Sequence, residues 1–218
     1  ELLPHGIFPE YPITATVNKE ENHIPIKEFF EKVWNSTEQN HISITGIGGI
    51  GKTVTLFNLK YPAPTIYIPL RDLSASQDAY NVDFITKYIK EVTLNSTDGA
   101  FDALIQLCNE PWVNKPNIIL LLDGLNEVTP AKLNSIIREI STTWAKKQGL
   151  QIILTSRYDV NTKLQLNNIH QVLLEPLSRD IISNHLLNNN IRLPISTDRV
   201  WEIIDTPLML ILYTRCEL

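Results

Sequence analysis

Eight consecutive residues, Gly46, Ile47, Gly48, Gly49, Ile50, Gly51, Lys52 and Thr53, satisfy the spacing G-x-x-x-x-G-K-[ST] at every fixed position. Glycine lets the main chain wrap closely around a polyphosphate, and the N–H groups that open the following helix supply positive potential for it. In that chemistry Lys52 reaches the β- and γ-phosphates, while the hydroxyl of Thr53 ligates Mg2+. Val54 continues the cradle into the helix. Glycine is otherwise scarce, only 8 in the chain, so a cluster of four within six positions is not a matter of composition.

A cradle that works with Mg2+ needs a carboxylate at the end of a neighbouring buried strand. Asp123 follows Ile118, Ile119, Leu120, Leu121 and Leu122, the most apolar strand pattern in the chain, and is expected to share the metal with Thr53. Just beyond it come Asn126 and Glu127, of which Glu127 is the candidate to orient or deprotonate an attacking water. Thr155, Ser156 and Arg157 end another strand pattern. Ligands bind at the carboxyl edge of a parallel sheet, so Arg157 is placed to meet a γ-phosphate. The expected catalytic set is Lys52, Asp123, Glu127 and Arg157.

These residues need rigid elements behind them. The stripe Ile26, Phe29, Phe30, Val33 and Trp34 marks an amphipathic helix, and residues 41–45 alternate as a strand leading into the glycines. A second strand is expected over 65–70, then helical patterns over 84–92 and 101–108. The third strand, 117–123, is apolar on both faces, as a central parallel strand must be. Thr129 followed by Pro130 reads as an N-cap with proline at the first helical position, opening a helix through Trp144. Strands over 151–155 and 170–174 complete the alternation. The spacing predicts a three-layer α/β domain with a mostly parallel sheet over 24–177, preceded by an extended lead-in over 1–23. From Ser178 the pattern is helical, with one stripe through Leu186 and a second from Val200 to Tyr213, as at the beginning of a small helical domain over 178–218.

Composition narrows the function classes. The 218 residues are 43% hydrophobic and 20% charged, with 19 basic against 24 acidic side chains and a net charge of −5. That balance disfavours a surface built to neutralise nucleic-acid backbones. Cys108 and Cys216 form no C-x-x-C pattern, and no apolar run approaches a membrane span, so a cytoplasmic location is expected. With Met209 the only methionine, the chain reads as part of a longer protein.

Gly46 to Thr53, Ile118 to Glu127 and Leu154 to Arg157 together closely resemble the NACHT branch of the STAND class of signal-transduction ATPases, a resemblance covering roughly residues 24–218. The stretch Asp123, Gly124, Leu125, Asn126, Glu127 is the most telling part, with Asn126 standing where many relatives carry aspartate. Ile66 to Asp72 looks like the second strand of that family. Asp205 to Leu210 looks like its helical-domain motif, in which Pro207 would pack beside adenine. The resemblance implies a P-loop NTPase fold, ATP/ADP and Mg2+ as ligands, slow hydrolysis, and a switch in which nucleotide exchange governs self-oligomerisation and a fused effector, in innate immune or antiphage defence. Two other functions share these residues. A cycling AAA+-like motor would need an arginine finger, for which Arg138 and Arg179 are candidates, and a scaffold would hold nucleotide without hydrolysing it.

Overall fold

The computed structural model describes residues 13–18, 23–36, 38–75, 83–95, 99–164, 166, 168–195 and 199–217. Seven strands make one sheet: β1 (Thr14–Val17), β2 (His23–Pro25), β3 (His41–Thr45), β4 (Thr65–Pro69), β5 (Ile118–Asp123), β6 (Leu150–Ser156) and β7 (Ile169–Leu174). Their order is β2-β1-β7-β3-β6-β5-β4. The five strands from β7 to β4 are parallel, and the β1–β2 hairpin adds to β7 antiparallel.

The helices are α1 (Ile26–Trp34), α2 (Lys52–Asn58), α3 (Leu70–Ala75), α4 (Phe84–Tyr88), α5 (Ala100–Asn109), α6 (Pro130–Glu139), α7 (Asn161–Leu164), α8 (Arg179–Asn188), α9 (Val200–Ile203) and α10 (Pro207–Glu217). Both α4 and α6 run on into π-helical turns, Ile89–Thr93 and Ile140–Trp144. Thr129 caps α6 through its carbonyl, which accepts from the N–H groups of Lys132 and Leu133.

Alternation along β5 explains the three layers. Ile118, Leu120 and Leu122 face a core shared with α4, α5 and α6, whereas Ile119 and Leu121 face a second core built on α1 and α2. A strand covered on both faces has no place for a polar side chain until it ends. Asp123, at that end, is only partly buried. A third apolar cluster holds the helical segment together, with Leu177, Ile182, Leu186, Trp201, Ile204 and Leu210 at its centre.

Two features depart from the expectations. Part of the lead-in is a strand pair integrated in the sheet, while residues 1–12 and 19–22 lie outside the described residues. The hairpin is fastened by Glu175, whose carboxylate accepts from Thr14 Oγ1 at 3.0 Å and Thr16 Oγ1 at 2.5 Å and pairs with His23 Nδ1 at 2.5 Å. Burial raises the pKa of Glu175, but these partners outweigh it and hold the group below the usual carboxylate range. The stripe from Val200 to Tyr213 is not one helix. It breaks after Ile203 and restarts at Pro207, which has no N–H to continue a helix, with Thr206 O accepting from Leu210 N–H at 2.9 Å.

The amino end of the sheet carries a pH-sensitive group. His41 is 4% exposed, and Ile152 N–H donates to its Nδ1 at 3.2 Å. Burial depresses its pKa to about 4, with a backbone hydrogen bond to Ala145 partly opposing the shift. The unfolded chain takes up this proton near pH 6.5 and the folded one resists to about 4, so stability is full above the upper value and falls as pH drops between them. Denaturant titrations at pH 7.5 and pH 4 should show about 3 kcal/mol of acid destabilisation from this group alone. A His41→Gln variant should lack that increment.

Candidate functional site

The carboxyl ends of β3, β6 and β5 open on one cleft of about 300 Å³, lined by Gly48, Gly49, Gly51, Lys52, Thr53, Asp123, Glu127, Thr155 and Arg157 among others. The place follows from topology. The chain leaves β3 into α2 on one face of the sheet and leaves β5 into α6 on the other, which opens a crevice outside the strand ends.

Gly49 and Gly51 have φ of +80° and +98°, the left-handed region that a side chain disfavours, and Gly51 is the residue on which α2 begins. The isoleucines between the glycines do not line the cleft. Ile50 is 1% exposed and packs in the core, while Ile47 is 54% exposed and does not line the cleft. The Lys52 ammonium is turned onto the loop itself, donating to Gly46 O at 2.6 Å and Ile47 O at 2.9 Å. Burial lowers its pKa, nearby Arg157 lowers it further, and Asp123 and Glu127 pull the other way. Lys52 and Arg157 thus converge on a partly desolvated cleft that Lys27 also lines, an environment that favours a polyanion.

Asp123 is the most heavily bonded side chain of the site. Its Oδ2 accepts from Thr53 Oγ1 at 2.8 Å and from Tyr67 OH at 3.1 Å, and its Oδ1 accepts from Thr155 Oγ1 at 2.5 Å. Gly124 N–H donates in turn to Thr155 Oγ1 at 2.8 Å, which orients that hydroxyl. A hydroxyl and a carboxylate oxygen in contact at the cleft floor are hard oxygen donors, suited to Mg2+, which keeps several waters and borrows its remaining ligands from phosphates. Among the described residues no cluster of three His, Cys, Asp or Glu side chains offers a metal an all-protein cage.

Glu127 sits in a 3-10 turn, Leu125–Glu127, and its exposed carboxyl folds back over Gly124, so that a Cβ placed on that glycine would lie 3.0 Å from Glu127 Cδ. Asn126 fixes the end of β6, because its Oδ1 accepts from Arg157 N–H at 3.0 Å. An aspartate could accept the same bond. The Arg157 guanidinium lies beside the loop, its Cζ 3.8 Å from the position of a Gly48 Cβ.

The cleft's other wall is apolar and comes from two distant stretches. Ile13 and Ile26 arrive from the hairpin and α1, and Pro207, Leu208 and Ile211 from α10. The two stretches meet the loop directly: Ile13 Cδ1 and Pro207 Cγ lie 3.4 and 3.9 Å from the position of a Gly51 Cβ. Leu208 N–H donates to Gly49 O at 3.3 Å.

The structure therefore brings together Lys52, Thr53, Val54, Asp123, Glu127, Arg157 and Pro207, all of them candidates on sequence grounds. Thr155, Tyr67 and Leu208 fall inside stretches that resemble the family without being site candidates themselves, and Ile13 carries no sequence signal. Thr155 and Tyr67 reach Asp123 only because β6 and β4 flank β5, a strand order that no local pattern encodes.

No protein-family model matches the chain, and no curated protein sequence matches it. Solved structures do. A signal transduction ATPase with numerous domains, carrying a tetratricopeptide repeat sensor, from Pyrococcus horikoshii is similar at a TM-score of 0.54 and 15% identity, over 89% of this chain and 30% of that one. Drosophila ORC bound to DNA gives 0.50 and 16%, over 88% and 53%. A DNA replication initiation factor gives 0.50 and 18%, over 87% and 58%. The chain spans less than two thirds of each of these structures. At such identities the likeness establishes the fold: an α/β P-loop NTPase fold with a mostly parallel sheet.

Proposed function

We propose that this chain is the nucleotide-binding part of a NACHT-type STAND ATPase, one that binds ATP and ADP with Mg2+, hydrolyses ATP slowly and uses the bound nucleotide as a switch. The observation that carries the reading is the direct bond between the two halves of the cleft. Leu208 N–H of the helical segment donates to Gly49 O inside the phosphate loop, so the loop's conformation and the position of α10 are mechanically linked. A switch needs contacts that differ between two nucleotide states, and this bond is placed to report one.

Residue roles follow from geometry. Lys52 would leave the Gly46 and Ile47 carbonyls for phosphate oxygens, exchanging neutral acceptors for charged ones. Thr53 and Asp123 would hold Mg2+, which when bound draws charge from the β- and γ-phosphate oxygens. Glu127 orients the attacking water and accepts its proton. Arg157, beside Gly48, would contact the γ-phosphate and lose that partner once it departs. The base would sit between Ile13 and Ile26 on one side and Pro207 and Ile211 on the other. Self-oligomerisation, sensor and effector domains outside this stretch, a cytoplasmic setting and a role in innate immune or antiphage defence belong to the same proposal. Among the described residues no helix is long and apolar enough to cross a membrane.

A continuously cycling motor fits less well. Of the two candidate fingers, Arg179 lies over the ring of Trp201 in its own chain, 5.5 Å from the centroid, and would exchange that contact for a neighbour's phosphate. The switch predicts that native protein, purified without added nucleotide and then denatured, releases close to one ADP per chain. Turnover above about one per second with no retained nucleotide would point to the motor instead.

A further inference from the structure

We propose that Tyr67 is a positioning residue for the metal-site carboxylate, holding Asp123 in the rotation in which its Oδ2 accepts from the hydroxyl of Thr53. The inference rests on the Mg-nucleotide reading above and extends it to a residue outside the cleft. Tyr67 lies on β4, where it pairs in register with Leu121, two positions before the Pro69↔Asp123 pair. Its side chain packs on the sheet face that α2 covers, where its hydroxyl donates to Asp123 Oδ2 at 3.1 Å and its ring is braced edge-on by Phe57 of α2, with centroids 5.0 Å apart.

The consequence is a matter of lone pairs. A carboxylate oxygen has two in-plane acceptor directions, and on Asp123 Oδ2 they are taken by Thr53 Oγ1 and Tyr67 OH, while Thr155 Oγ1 holds Oδ1. When the oxygen of Thr53 ligates a cation, its proton can remain on Oδ2 only if the carboxylate keeps this rotation. Thr155 restrains one oxygen, and among the described residues Tyr67 alone restrains the other independently of the cation. Since α2 carries both Thr53 and Phe57, the brace and the metal ligand sit on one helix. Groups that orient a metal's ligands typically affect metal affinity by about 10- to 100-fold. Tyr67 does not line the cleft and should not affect metal-free nucleotide binding.

The test compares wild type and Tyr67→Phe by electron paramagnetic resonance titration of Mn2+ at saturating ADP, alongside ADP affinity in EDTA and thermal unfolding of the metal-free proteins. The expected result is a roughly tenfold weaker Mn2+ affinity in the variant, with ADP affinity in EDTA within about twofold and an unchanged melting temperature. Equal Mn2+ affinities would overturn the proposal, as would equal losses of Mn2+ and metal-free ADP affinity, which mark a purely structural role. If wild type binds ADP but no Mn2+, the metal inference fails alone. If it binds neither, the nucleotide reading fails with it.

Discussion

Replacing Lys52 with alanine should weaken ATP binding roughly 100-fold, a loss of about 3 kcal/mol, while leaving the fold intact. The size follows from what is removed: charge-assisted bonds to phosphate oxygens, worth about 1.5–3 kcal/mol each, in a cleft where Arg157 also stands beside the loop. The loss is larger than the bonds Lys52 makes without nucleotide would suggest. Those go to the neutral carbonyls of Gly46 and Ile47, which the loop can expose to water once the ammonium is gone. Calorimetric titration with ATP, together with a melting curve in the absence of nucleotide, separates the two effects. A variant that melts like wild type yet binds ATP within threefold of it would show that the loop is not the phosphate site.

Glu127→Gln should have the opposite signature. Amide for carboxylate keeps the shape over Gly124 and removes the proton acceptor, so ATP affinity should stay within about threefold while hydrolysis falls by about 100-fold or more. Single-turnover release of phosphate from preloaded ATP measures this directly. An unchanged rate would transfer the catalytic role away from Glu127. Retained signalling by such a variant in the intact protein would favour a scaffold over a switch.

How much of the site is legible in the sequence depends on distance along the chain. The phosphate loop is local: eight consecutive residues whose glycines, lysine and threonine each meet a conformational or chemical demand, flanked by a strand and a helix. Asp123 is legible because a strand buried on both faces must end before it can carry a charge. Tyr67 and Thr155 are not. Their roles arise because β6 inserts between β3 and β5 while β4 takes the far side of β5, and strand order is decided by crossovers, not by local pattern.

The hairpin is hidden for a different reason. Its strands span only four and three residues, and their pairing is secured by the remote carboxylate of Glu175. Ile13, just before the hairpin, is held in the cleft by a backbone bond in which its carbonyl accepts from Ile26 N–H at 3.0 Å. Nor does the sequence reveal Glu139, 2% exposed, whose carboxylate accepts from the N–H groups of Ile85 and Thr86 and so caps α4 from another helix. Asn126 looks, in sequence, like a lost acid. In the structure its carbonyl oxygen fixes Arg157 N–H, a bond that does not depend on charge.

The convergence of Lys52, Thr53, Asp123 and Arg157 on one cleft is the central claim, and equilibrium titration with ATP, with and without Mg2+, tests it most directly. The predicted result is a single saturable site, tightened by Mg2+ and competed by ADP. No saturable binding up to about 1 mM ATP, a level at which even a weak site of about −4 kcal/mol is half filled, would contradict it.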